Sequence, residues 1–414
     1  MDPFPRRKLM HRIALVAVAV CLSSGAASAQ QLRFDDVVRN LRNPDPKARL
    51  NAIHLLRDAK YPEAVSPIAP LVADPVDEVQ LEAIAAELSF FLEEDVRSKR
   101  MVGFVVEKRK SGIARGAFDL GPYAVWPRPV PTELASWLLE AVDDENAKVR
   151  LEAIYALGVL GRNPLTPEQV QRLTKALDHY DPAVREAAAL VIMRVQVPGT
   201  GEALLKAVND SQPNVRYAAM RALGAIRDER AVTALTQQLA FYNKGEGAWS
   251  ALDALARIAS PASVPVFRER LADKDPYLRR AALEGLGRAG DTQSIDAVQR
   301  FGTDDSASVR IAAAFALQKL GRNSVGRIVD LMASSKVSAQ GQEYLVELGP
   351  SIAAALVPRL QDPDAGIREA MADVLGMVGD ASALPALATA AKDRDGSVVA
   401  AARRAAARLR AASR

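Results

Sequence analysis

The sequence predicts an all-α chain wound as a right-handed α-solenoid of about ten to eleven helical hairpins. Three observations carry that expectation. A frame of acid, Val-Arg, small and apolar positions and a closing glycine runs from Asp143 to Gly161. It returns at Asp181–Arg185, Asp210–Arg227, Asp275–Gly290, Asp305–Gly321 and Asp362–Gly379, with weaker copies at 45–55 and 74–88. The frame arginines Arg150, Arg185, Arg216, Arg279, Arg310 and Arg368 stand 35, 31, 63, 31 and 58 residues apart, the long gaps being twice a period of ~30 residues. Apolar residues make up 49% of the chain and aromatics only 5%, which suits helices meeting through Ala, Leu and Val rather than around large rings.

The chain opens on an export signal, residues 1–29. Arg6, Arg7, Lys8 and Arg12 form a basic start, Ile13 to Leu22 an apolar run too short to span a bilayer, and Ala27-Ser28-Ala29 a small-residue cleavage site. The mature protein is therefore expected to be secreted or periplasmic after cleavage near Ala29. The signal removes four of 54 basic and one of 50 acidic side chains, so the remaining 50 and 49 leave a net charge of +1. That balance argues against a nucleic-acid partner, which needs a concentrated positive surface. Cys21, the only cysteine, leaves with the signal, so neither a disulfide nor a thiolate site is expected.

Each repeat then reads as a helical hairpin. In the first helix the apolar positions Val149, Ala153, Ala156, Leu157 and Leu160 share one face. Gly161, Gly290, Gly321 and Gly379 stand where a left-handed C-terminal cap is expected. In the second helix Thr166, Pro167 and Gln169 spell a capping box with proline at the first position. Asp-Pro pairs at 181–182, 275–276 and 362–363 mark the passage between units.

This frame resembles the HEAT repeat, in particular the short variety associated with phycobilin lyases, over nearly all of residues 33 to 414. The resemblance implies a scaffold fold and by itself no reaction. The di-iron hydroxylases built from HEAT repeats carry His-Glu pairs; here His54 precedes Leu55 and His179 precedes Tyr180, so that activity is not expected.

The domain organisation follows: N-terminal repeats over 30–92, an insertion over 93–133, and the main array with a C-terminal capping helix over 134–414. Between Glu93 and Pro131 the frame disappears. Lys108, Arg109, Lys110 and Arg115, followed by Tyr123 and Trp126, are the candidate binding residues, guanidinium and ammonium groups for an acidic ligand and rings for an apolar or sugar face. The position five residues after each frame arginine gives a second candidate, a surface ribbon of Tyr155, Arg221, Glu284, Phe315 and Asp373. The frame arginines are expected to form a ladder with the turn aspartates of neighbouring repeats, and Arg403, Arg404, Arg408 and Arg410 to cap the last helix. No catalytic, metal-ligating or cofactor-binding motif is present. The expected function is an exported, non-catalytic scaffold binding another protein or peptide. The alternative is an enzyme or lyase-like accessory protein holding a small anionic substrate.

Overall fold

Aspartate followed by proline starts three of the long helices, and the reason is visible at each start. Asp45, Asp181 and Asp275 take an extended backbone and accept the amide N–H two residues on, while Pro46, Pro182 and Pro276 fill a first-turn position whose missing N–H costs nothing. The computed structural model describes residues 34–92, 112–121, 125–126, 128–161 and 165–412. Eleven long helices stack side by side. They are α1 (Pro46–Asp58), α2 (Asp77–Phe91), α3 (Ala147–Leu160), α4 (Pro182–Val195), α5 (Pro213–Ala225), α6 (Gly245–Ile258), α7 (Pro276–Arg288), α8 (Ala307–Lys319), α9 (Ser338–Leu348), α10 (Ala365–Val378) and α11 (Gly396–Ala412). Shorter helices between them, such as Thr132–Glu140, Pro167–Lys175 and Val232–Tyr242, form a second layer. There is no strand among the described residues, only an isolated bridge between Leu92 and Val125.

One continuous apolar core runs between the layers, and the five positions read from the first helix, Val149 through Leu160, are all buried in it. Burial of each large aliphatic side chain is worth about 1.5–3 kcal/mol. The capping box forms as expected: the Gln169 N–H donates to the Thr166 hydroxyl (3.3 Å) and the Thr166 N–H to the Gln169 side chain (3.0 Å). Gly290, Gly321 and Gly379 are left-handed, with φ of 70°, 82° and 85°. Gly161 is a correction. Its φ is −71° and ψ 61°, and α3 closes simply by the Gly161 N–H donating to the Leu157 carbonyl at 2.7 Å.

A different glycine sets the spacing between units. Gly224, Gly287 and Gly376, each eight residues after a frame arginine, lie so close to the next long helix that a Cβ there would stand 2.6, 2.7 and 2.6 Å from the Cα of Ala254, Ala316 and Ala405. Small residues on both sides let the helix axes close up.

The arginines repeat one geometry. Nη1 of Arg49, Arg150, Arg185, Arg216, Arg279, Arg310 and Arg368 donates to the two carbonyls six and five residues back, at 2.6–3.2 Å. In every case but Arg310 the far side of the guanidinium reaches the next unit among the described residues. Arg185 forks onto Asp210 (2.7 and 2.9 Å), Arg279 onto Asp304 (3.0 and 2.9 Å) and Arg368 onto Asp393 (2.9 and 2.9 Å), while Arg49 meets Asp74 (2.8 Å) and Arg150 meets Asp181 (2.7 Å). Asp74, Asp210, Asp304 and Asp393 also each accept the backbone N–H two residues on, so one carboxylate shapes its own turn and receives the neighbour. In three places where the arginine or aspartate is missing, another donor or acceptor stands in. Arg216 donates to the Tyr242 hydroxyl (2.6 Å), the Trp249 indole N–H to Asp275 (2.6 Å), and the Gln80 amide to Asp144 (2.8 Å). The last contact spans 64 residues where Arg185 and Asp210 span 25. The excess of 39 equals the stretch from Glu93 to Pro131, so α2 and α3 stack as neighbours across the insertion.

Two contacts reveal the curvature. Arg288 on α7 forks onto Glu347 on α9 (2.9 and 2.8 Å), and the Tyr344 hydroxyl of α9 donates to Glu284 of α7. Two helix spacings of about 8–10 Å each would hold these side chains apart. The face they share is therefore concave, with α7 and α9 leaning together over α8. On the same curl, Arg408 of α11 donates to the Val125 carbonyl (3.3 Å), joining chain positions 283 residues apart.

Arg185 holds the Asp210 carboxyl below its usual range, against the opposing effect of burial. A carboxyl that titrates lower folded than unfolded contributes stability at neutral pH that is lost as pH falls below about 4. Asp210→Asn should cost about 1–3 kcal/mol at pH 7 and flatten the acid limb of the thermal stability profile. Gly287→Ala should cost a similar ~1–3 kcal/mol by overpacking α7 against α8, read as a drop in Tm.

Candidate functional site

The inserted helix Ile113–Leu120 lies on the concave face of α3, held by Tyr155 of the expected ribbon together with Glu152, Gly158 and Arg194, which the sequence did not single out. The buried carboxylate of Glu152 accepts the Ala114 N–H (2.8 Å) at the start of that helix, where negative charge is favoured. Burial nonetheless pushes the Glu152 carboxyl above its usual value. Phe118 drops into the hollow over Gly158, where a Cβ would stand 2.6 Å from its ring, beside Tyr155 (centroids 5.3 Å) and under the Arg194 guanidinium (3.9 Å).

Of the candidate binding residues, Lys108, Arg109, Lys110 and Tyr123 lie outside the described residues. Arg115 keeps its side chain 37% exposed and already has partners within the protein. It lies 4.7 Å over the Tyr155 ring, donates to the Tyr155 hydroxyl and pairs with Asp119 (3.1 Å). Trp126 is half-buried, and its backbone N–H donates to the Phe91 carbonyl (2.8 Å).

The proposed ribbon is likewise corrected. Tyr155, Glu284, Phe315 and Asp373 are buried, and half-buried Arg221 pairs with Glu246 (2.9 Å). The spacing does put them on one inner face, but that face is concave and its side chains close on one another: Phe315 stacks on Tyr344 at 4.3 Å, and Asp373 is gripped by Arg404 at 3.1 Å. Arg404 and Arg408 thus face inwards rather than capping the array, while Arg403 and Arg410 remain exposed.

Along α6 to α9 the inner wall is a charge network. Asp253 pairs with Arg257 (3.0 Å) and more loosely with Arg280 (3.8 Å); Glu284 pairs with Arg288 (3.1 Å), and Arg288 with Glu347 (2.8 Å). Burial alone would raise the Asp253 carboxyl, but Arg257, Arg280 and Arg288 together hold it low. Burial and then Glu284 push the Tyr344 phenol well up, so it stays a donor. Burial also raises Glu343, which has no cation paired to it among the described residues. The opposed charges neutralise one another. Among the described residues no three His, Cys, Asp or Glu converge as a metal-ligand set.

Exposed chemistry lies instead along the edge where the rungs are. Tyr180, Phe241 and Tyr277 are 76%, 77% and 49% exposed, at the entrances to α4, α6 and α7. Tyr217 on α5 continues the row, with Tyr242 at 5.5 Å, and Trp249 stacks on Tyr277 at 4.5 Å. Four successive units therefore place rings on one edge of a chain otherwise poor in them. The sequence carried this as Tyr and Phe clustered near unit starts.

Glu87 stands apart in the core of α2, 1% exposed, with neither carboxylate oxygen hydrogen-bonded among the described residues. It occupies the place that Leu157, Leu223, Leu286 and Leu375 hold in other units, seven residues after the frame position, and burial drives its carboxyl well above the usual range.

The sequence signature of the family described as HEAT repeats matches residues 134–204, 170–241, 244–318 and 334–410, more than half of the chain. No curated protein matches the sequence. Among solved structures the chain is similar to the complex of CpcE and CpcF of phycocyanin lyase from Nostoc sp. PCC7120, at 18% identity, over 80% of this chain and 98% of that one, with a TM-score of 0.37. It is similar to human deoxyhypusine hydroxylase in complex with glycerol at 20% identity, over 67% and 96%, TM-score 0.29. Importin beta matches at 13% identity, over 95% and 59%, TM-score 0.38. At that level of likeness none of their activities transfers.

A carboxyl that titrates higher folded than unfolded weakens the fold as pH rises from about 4.3 through its folded value. Glu87→Leu should therefore raise stability by about 1–3 kcal/mol at pH 7, with the gain shrinking towards pH 4 in thermal unfolding.

Proposed function

The chain belongs to the HEAT-repeat family, and on that premise we propose that it is a non-catalytic scaffold that holds another protein or peptide across several repeats. The observation that carries this reading is the aromatic edge. Tyr180, Phe241 and Tyr277 offer ring surface to solvent in a molecule whose concave wall pairs most of its charges and whose inserted helix buries Phe118 and engages Arg115 with Tyr155 and Asp119. Exposed aromatic side chains on a rigid framework supply contact area at little entropic cost. No helix among the described residues is long and apolar enough to cross a membrane. Export rests on the basic, apolar and small-residue order of residues 1–29, and we propose a secreted or periplasmic scaffold.

The rival reading, a small anionic substrate held by the insertion, gains nothing from Arg115, whose guanidinium is occupied by Tyr155 and Asp119. The test is a photo-crosslinking amino acid placed in turn at Tyr180, Tyr277 and, on the other layer, Arg172, in the full chain expressed in its own cell type. Polypeptide adducts are expected from the first two positions and not the third. Equal adducts from all three, or none together with a small metabolite that raises Tm, would overturn the scaffold reading.

A further inference from the structure

Resting on that reading, we infer that the polypeptide held along this edge is a proline-rich, acidic segment in the polyproline II conformation. The first ground is geometric. Adjacent long helices lie about 8–10 Å apart, so the exposed rings at the starts of α4, α6 and α7 fall at about two such intervals and then one. A polyproline II helix repeats every three residues at ~3.1 Å per residue, about 9.3 Å per turn, and presents one side chain per turn to a flat surface. A β-strand offers same-side residues every ~6.6–6.8 Å and an α-helix a turn every 5.4 Å, and neither keeps step with the units.

The second ground is chemical. Proline rings pack flat on aromatic faces, and such a segment is already extended, so little ordering entropy is lost. The third is charge. Lys244 stands three residues after Phe241 and Lys274 three before Tyr277; both are exposed and neither has an ion pair among the described residues. The carboxylates next to them in the chain have other partners, Glu246 being paired with Arg221, Asp273 with Arg270 and Asp275 with Trp249. Two consecutive units therefore each offer a ring and a free ammonium group, which matches a ligand with one proline and one carboxylate per turn.

The test is fluorescence anisotropy of the full chain with labelled (Pro-Pro-Glu)5, against (Gly-Ser-Glu)5 of equal charge, (Pro-Pro-Lys)5 of equal backbone, and chitohexaose as a stacking sugar. Binding of (Pro-Pro-Glu)5 at least about tenfold tighter than any comparator is expected. Tyr180→Ser/Phe241→Ser/Tyr277→Ser should weaken it by about tenfold or more with Tm unchanged. Lys244→Ser/Lys274→Ser should weaken it several-fold and remove its salt dependence. Equal binding of (Gly-Ser-Glu)5, preference for chitohexaose, or indifference to the triple substitution would overturn the inference. If the photo-crosslinks at Tyr180 and Tyr277 persist while (Pro-Pro-Glu)5 fails, the polyproline assignment falls and the scaffold stands; if both fail, both fall.

Discussion

Everything in this array depends on how one guanidinium divides its donors. Nη1 closes the turn behind it, and the other edge takes hold of the carboxylate that opens the next turn, so folding of one loop and docking of its neighbour are the same interaction. Only a planar side chain with five N–H groups does both at once. The second task is less demanding than the first. The indole of Trp249, the amide of Gln80 and the phenol of Tyr242 each complete a rung on a single hydrogen bond. That separation explains how the frame lapses at α2 and α6 without the stack parting, and how 39 extra residues leave α2 beside α3.

Much of this was legible in the residues. The frame arginines, the Asp-Pro starts and the apolar face of α3 are local patterns, and local patterns survive into the structure because each unit meets only its neighbours. What the sequence hid was curvature. Tyr155, Glu284, Phe315 and Asp373 sit on the face turned away from the second layer, and on a straight stack that position would be open. Whether it is wall or surface depends on how closely the long helices approach. The repeated Leu-Gly at 223–224, 286–287 and 375–376 was the available sign: a glycine inside a helix, where it costs stability, is explained by the Cα of Ala254, Ala316 or Ala405 lying against it. Gly161 failed for the opposite reason, since the end of a helix offers several ways to stop and only one needs a left-handed residue.

The candidate site was displaced by the same curvature. Arg115 and the inner ribbon drew attention as charges and rings, yet a concave wall spends such groups on itself. The edge escapes this because the rungs fix the backbone there while leaving the neighbouring ring outside, as at Tyr180 beside Asp181 and Tyr277 beside Asp275. Rigid support under an exposed aromatic side chain is what recognition asks for, and the ladder supplies it as a by-product of holding the units together.

The contact between Arg408 and the Val125 carbonyl alters what kind of object the array is. An open stack of repeats has two free ends, can fray from either, and tolerates the gain or loss of a unit during evolution because nothing downstream must meet anything upstream. Here the last long helix returns to the segment that follows the second. Adding or deleting one hairpin would carry α11 past that meeting point by a full helix diameter, so the number of hairpins, indifferent in most such arrays, becomes a fixed dimension of this one.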